Sequence, residues 1–310
     1  MSAVRGDCWI RSAWARLAWL IALTCSWSAG LASAQFTVTP VDERGADGVP
    51  DVLTVESPWY QFRFILWEAG SADSVIYKPL RHELRAEDYY RNHLTCFRDW
   101  VLLADPDPIT GHTRNINDSE IREQTRQPAT FRVVRQDAHE LVLEFETRNA
   151  PAAGAASWVD KIVNRRRLFL RHDSPLIRVE REVINTDSAA HSVLADVFNG
   201  VSLGRVKTCV AMPGTEGKIT GVDRAEEQAS SYVFAQEVAD AWIGGVNEQG
   251  LGAGFCFDWP DVDAMQVCMY KTVGSAYHVV MRRRSVPAGG SITFRYNILP
   301  FTGLDRKSVV

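Results

Sequence analysis

Past residue 34 the sequence has no apolar run long enough to cross a bilayer as a helix. Basic residues are not in excess: 34 Lys and Arg stand against 38 Asp and Glu in 310 residues, a net charge of −4. Nucleic acid and anionic lipid, which need a positive face, are therefore not expected partners. Helical periodicity is almost missing; "RHELRAEDYYRNHL" is the one stretch that could form a helical turn or two. No internal repeat is visible, and no Pro/Ser/Gly-rich linker divides the chain. There is no C-x-x-C pair for zinc or thioredoxin-like redox chemistry and no G-x-S-x-G elbow for a serine hydrolase. The oxygen-rich "ADPDPITGHTRNINDSE" lacks EF-hand spacing and reads as a solvated turn cluster, so neither metal nor cofactor is expected.

What is present begins with an export signal. Arg5, Arg11 and Arg16 precede the short apolar "LAWLIALTCSWSAG", and "LASAQ" supplies a small-x-small cleavage site after Ala34. Residues 1–34 are expected to be removed, leaving a secreted or periplasmic protein with no membrane segment. Loss of three Arg and one Asp leaves 31 basic and 37 acidic residues, a net charge of −6. Cys96, Cys209, Cys256 and Cys268 remain, an even number in an oxidising compartment. They could pair in any of three ways or stay as buried thiols. The other end, "FTGLDRKSVV", runs out of a strand and stops. Asp-Arg-Lys-Ser-Val-Val is what a common short-read sequencing adapter encodes in one frame. Residues 305–310 are therefore expected to be non-native, with the natural protein continuing past Leu304, where a catalytic domain could follow.

Residues 35–304 read as one all-β domain, strand after strand. Apolar residues alternate in "YQFRFILW" and "HELVLEFE", and later runs are "AWIGGV", "GAGFCFDW", "MQVCMYK", "YHVVMRR" and "SITFRYNIL". The stretch Arg165–Asn185 folds on paper as a hairpin with Arg171–Ser174 as a four-residue loop. Leu168 then faces Ile177, Arg166 faces Val179, and Arg165 faces Glu180. One face of this hairpin is mainly apolar and the other mainly charged. So many strands with so little helix predict a large antiparallel β-sandwich with a groove.

Three segments carry a family resemblance. "VINTDSAAHSVLADVFNG" has a strand ending in Asn185, a polar turn, and a second apolar strand. "EAGSADSVIYKP" reads as an early hairpin, and "PAGGSITFRYNILPFTG" as a closing strand. In this order, from about Val52 to Leu304, the chain resembles galactose-mutarotase-like supersandwich proteins. The resemblance implies the supersandwich fold and a carbohydrate ligand. It does not single out a reaction, because that sandwich serves epimerases, polysaccharide lyases and noncatalytic domains of glycoside hydrolases. Aldose epimerases carry a ring-protonating His two residues before Tyr-Phe-Asn. In "ADVFN" Phe198 and Asn199 match, but Val197 replaces the Tyr and Ala195 stands where the His belongs. His191 lies about 13 Å away along the strand. Aldose 1-epimerase activity is therefore not expected.

The densest functional-looking stretch is "PLRHELRAEDYYRNHLTCFRDW", with Arg81, His82, Tyr89, Tyr90, Arg91, His93 and Trp100. It is read as a loop insertion on a rigid sheet, the usual place for binding residues. Together with Asp196, Asn199 and Trp242 these are the candidate carbohydrate contacts. Trp67 and Trp259 are further stacking platforms unless they are core. Three functions stay open: an exported carbohydrate-binding or scaffolding domain of a polysaccharide-processing protein, a lyase or epimerase working around His82–His93, or a surface interaction domain with no sugar ligand.

Overall fold

The computed structural model describes residues 36–45, 48–84, 100–102, 127–149, 158–203, 208–213, 219–224, 231–236, 240–258, 262–270 and 274–303. The chain divides into Met1–Gln35 and Phe36–Val310, and every described residue belongs to the second unit. The export signal, Cys96, Trp259 and the 305–310 tail lie outside the described residues.

The described chain is built of antiparallel strands. Five follow one another into the first sheet: β1 (Thr37–Val41), β2 (Val52–Glu56), β3 (Tyr60–Ile65), β4 (Ser71–Tyr77) and β5 (His82–Glu83). His82–Glu83 is thus strand, not the start of the helical turn suggested by its sequence. The largest sheet has nine strands. These are β7 (Thr130–Gln136), β8 (Glu140–Arg148), β9 (Ile162–Arg171), β10 (Ile177–Asn185), β12 (Thr208–Pro213), β13 (Ile219–Arg224), β15 (Trp242–Asn247), β16 (Gly252–Phe257) and β20 (Ser291–Phe301). Their spatial order is β13-β12-β15-β16-β20-β10-β9-β8-β7. A six-stranded sheet contains β14 (Ser231–Gln236), β17 (Val262–Tyr270), β18 (Gly274–Met281), β11 (His191–Val201) and β19 (Arg284–Val286), with β6 (Trp100–Leu102) also paired to β11.

The two smaller sheets pack against the same face of the nine-stranded one. Phe64 of β3 meets Phe145 of β8 at 4.9 Å between ring centroids, and Phe255 of β16 meets Tyr277 of β18 at 5.0 Å. Phe145, Arg166, Arg181 and Phe294 form one cross-strand row. Ile298, of the same parity as Phe294, lies opposite Phe255, and cross-strand partners share a face. The expected sandwich is therefore real, with its second layer split into two sheets. The shared core includes Leu53, Phe62, Leu143, Leu168, Val179, Phe294 and Tyr296, all essentially inaccessible. Each such side chain contributes roughly 1.5–3 kcal/mol on burial.

The β9–β10 hairpin keeps the expected faces but not the expected register. Leu168 faces Val179 and Arg165 faces Glu182, a shift of two residues. An even shift preserves which side chains lie on each face. Two causes are visible. The expected register would set Arg167 opposite Arg178, whereas the observed one sets Arg167 opposite Glu180 and Phe169 opposite Arg178. The Arg178 guanidinium lies 3.9 Å over the Phe169 ring. The connection is also held elsewhere: Trp59 Nε1 donates to His172 O at 3.0 Å, His172 N to His139 O at 2.8 Å, and Tyr60 Oη to Pro175 O.

The outer face of this sheet carries a charge row. Arg132, Glu144, Arg167, Glu180 and Arg295 stand side by side on β7, β8, β9, β10 and β20. Glu144 accepts from Arg132 Nε and from Arg167 Nε, each at 2.7 Å. Alternating signs on five strands penalise slippage of any one of them.

Candidate functional site

Strand β11 is the centre of the region to which the sequence pointed. Its first rungs pair with β19, with His191 opposite Val286. Leu194, Ala195 and Asp196 pair with Leu102, Val101 and Trp100 of β6. On the other side Asp196 to Val201 pair with Val280 to Ser275 of β18. Trp100 and Asp196, far apart in sequence, are thus direct cross-strand neighbours. His82 of the five-stranded sheet meets the other end of the strand: its Nε2 lies 3.0 Å from Ser202 O, just beyond β11 and roughly 20 Å along the chain from Asp196. Ser202 N donates to Leu84 O at 2.8 Å, so β5 is tied to β11 by backbone as well.

Arg81 precedes His82 in an exposed turn with φ 50. A left-handed conformation costs an L-residue about 1–2 kcal/mol. Such strain at a side chain that has no packing role is a pointer to function. Glu83 braces the same strand, accepting from Val75 N at 2.8 Å and bonding Ser74 Oγ.

Strand parity separates the remaining candidates. Successive positions on a strand alternate between faces. Ala195 and Asn199 share the parity of Val193, Val197 and Val201, all buried. Asn199 lies opposite Tyr277, whose ring meets Phe255 of the nine-stranded sheet. Asp196 has the other parity and shares its row with Trp100, while Phe198, two positions on, lies opposite His278. Trp100, Asp196 and His278 therefore belong to one face of the six-stranded sheet. Trp242 begins β15 in the nine-stranded sheet, paired with Cys256. The structure does not gather it with the β11 group: Asn247, at the far end of β15, is the residue that reaches that region, donating to Leu203 O at 2.6 Å. Tyr89, Tyr90, Arg91 and His93 lie outside the described residues.

Two clusters went unread in the sequence. His278 was one of seven scattered histidines, and only pairing with β11 distinguishes it. The second is at the β10–β11 turn. His191 Nε2 meets Asp187 Oδ2 at 2.6 Å, and the imidazole lies flat on Trp158, 4.2 Å between centroids at 6°. The His191 hydrogen bond, helped by the Ser188 N–H, holds the Asp187 carboxyl below its ordinary value. The available signal was the four-residue spacing of Asp187 and His191.

Cys256 is a free, partly buried thiol, with its pKa pushed up by burial. Cys209 and Cys268 lie on β12 and β17 of different sheets. Among the described residues no group of three His, Cys, Asp or Glu is placed to hold a metal ion.

The sequence matches no protein-family model and no curated protein. Solved structures do match. A "putative aldose 1-epimerase" from Klebsiella pneumoniae superposes with TM-score 0.60 at 10% identity, covering 90% of this chain and 86% of that one. A galactose mutarotase-like protein from Clostridium acetobutylicum gives TM-score 0.56 at 6% identity, over 87% of this chain and 99% of that one. The fold is that of the galactose mutarotase-like proteins. A 4-alpha-glucanotransferase from Thermococcus litoralis matches with TM-score 0.51 at 10% identity, over 87% of this chain but 40% of its own. On this mutarotase-like fold Ala195 sits in mid-strand on β11, opposite Val101. His191 is four positions back, already engaged by Asp187 and Trp158.

Proposed function

We infer that the chain is an exported carbohydrate-binding or scaffolding domain of a polysaccharide-processing protein. The observation that carries this reading is the pairing of Trp100 with Asp196 on β11. Trp100 and Asp196 are cross-strand partners, and His82 is anchored at the strand's end. An aromatic residue paired across strands with an acidic one is a combination suited to sugar, which offers apolar ring faces and paired hydroxyls. The mutarotase-like fold supports the sugar class, and its place as 40% of a longer glucanotransferase supports a modular role. Ala195 weighs against an epimerase, since ring opening needs an acid and a base beside the pyranose.

The test is a glycan array with the full chain, followed by calorimetry on any ligand found. Trp100→Ala and Asp196→Asn are each expected to weaken binding at least about tenfold, as loss of a stacking or bidentate contact does. Failure to bind any glycan, or binding that neither substitution alters, would leave the non-sugar interaction domain. Export is read separately, from a mature N-terminus at Gln35 in the secreted fraction.

A further inference from the structure

A cleft lies on the five-stranded sheet, lined by residues from β2, β3 and β4 and their connections. It encloses about 270 Å³ between the β1–β2 connection and the end of β3. Its wall is Trp67, in the single 3-10 turn Leu66–Glu68 that follows β3. The Arg44 guanidinium rests on that ring, 3.8 Å from its centroid.

The rest of the cleft is fixed. Asp51 accepts from the N–H groups of Glu43 and Arg44 at 2.8 and 2.9 Å, which sets the backbone beneath both side chains. Those bonds, with that of Glu43 foremost, hold the Asp51 carboxyl below its ordinary value. Arg63 is clamped between Glu43 and Asp73. Arg44 is different. Its side chain is 63% exposed, and its only ion pair among the described residues, to Asp51, is long at 3.9 Å. Glu43, Asp51, Glu68 and Asp73 line the cleft against Arg44 and Arg63, a surplus of two negative charges.

We propose that this cleft is a subsite for an amino-sugar unit, with Arg44 as a built-in competitor on the Trp67 ring. Three features converge on that class. An indole is the preferred face for a cation and a good platform for a pyranose ring. The cleft already holds a cation of the chain's own on that face. Its surplus negative charge favours a ligand ammonium over a neutral hydroxyl. A hexosamine combines the ring and the ammonium in one unit. The inference rests on the carbohydrate reading above but names a separate site and a narrower chemistry.

The experiment titrates the full chain with glucosamine oligomers, with their N-acetylated counterparts and with neutral β-glucan oligomers. The glucosamine series is expected to bind best, more weakly at high salt. Trp67→Ala should cost about tenfold or more. Arg44→Ala should tighten binding about two- to fivefold, the effect of removing one exposed cation–π competitor. Glu68→Gln should weaken it about threefold. Arg44 and Glu68 are surface positions, so they carry the test even where Trp67→Ala fails to fold. Trp100→Ala and Asp196→Asn should leave this binding intact. The proposal is overturned by acetylated or neutral oligomers binding equally well, by looser binding in Arg44→Ala, or by a poly-arginine peptide taking the cleft in preference to the sugar. Neutral-glycan binding at β11 without glucosamine binding here would sink this site alone and leave the broader function standing.

Discussion

Removing the side chain of Asn185 should unfasten the turn on which β10, β11 and β19 meet. Asn185 is fully buried at the end of β10. Its Nδ2 donates to Ala189 O at 2.7 Å and to Val286 O and Pro287 O, each at 3.1 Å. Its Oδ1 accepts from Asp187 N at 2.9 Å, and its backbone N–H donates to Gly290 O at 2.9 Å. Asn185→Ala leaves the backbone bond and deletes the rest. Ala189 and Pro287 are exposed, so their carbonyls can turn to water; the Val286 carbonyl belongs to a fully buried residue. One orphaned buried acceptor costs about 1–3 kcal/mol, and each part-buried bond about 0.5–1.5 kcal/mol net. The expected loss is about 2–4 kcal/mol, read as a lower urea midpoint at unchanged slope. Asn185→Asp is the sharper test. It keeps the acceptor for Asp187 N but turns the donor into an oxygen facing three carbonyls. The introduced carboxyl should have a raised folded pKa, so this variant should gain stability relative to wild type as pH falls through that value. The reasoning fails if Asn185→Ala loses less than about 0.5 kcal/mol, or if Asn185→Asp matches wild type at neutral pH.

Gly70 has φ 66, and a Cβ there would lie 2.6 Å from Phe145 Cδ1. Gly70→Ala should cost about 2–4 kcal/mol in denaturation, from backbone strain plus overpacking. Gly289→Ala, at φ 63 but in open space, should cost only about 1–2 kcal/mol. Burial raises the pKa of Glu144, but bonds from Arg132 and Arg167 outweigh it and hold the group below its ordinary 4.5. Its contribution is therefore present above that value and lost as pH falls through the folded pKa; Glu144→Gln should lower neutral stability and flatten the acid limb of a stability–pH curve. Arg81→Gly relieves the positive φ and should leave stability unchanged or raise it by up to about 1 kcal/mol, while weakening any glycan bound at β11. Polarimetry should find galactose mutarotation no faster with the protein than in buffer; acceleration would place an unseen acid–base pair near Ala195.

The architecture was legible because it is encoded redundantly. Alternation in "YQFRFILW" becomes β3, with Tyr60, Phe62 and Phe64 all buried. The strand signals of β8, β15, β16 and β20 likewise fall where the apolar runs are. No single residue decides a strand, so errors average out. The hairpin register was not legible, since a two-residue shift changes no face and differs only in pairwise terms. Arg167 with Glu180, and Phe169 under Arg178, are worth a few tenths to one kcal/mol each. The contacts fixing the connection come from Trp59, Tyr60 and His139, which local sequence cannot connect to it.

The site is harder to read, because cross-strand neighbours are chosen by topology and not by spacing. Nothing in "CFRDW" places Trp100 against Asp196; β6 does so by pairing with β11. Parity then divides residues that look equivalent in "ADVFN". On the face of Ala195 the described neighbours Val193, Val197 and Val279 are apolar, and Tyr277 is 1% exposed in the packed core. On the opposite face Asp196 shares a row with Trp100, and His278 follows two positions along. Parity thus sets Asp196 and His278 on one face of these strands and Ala195 and Asn199 on the other, a division that no local sequence pattern displays.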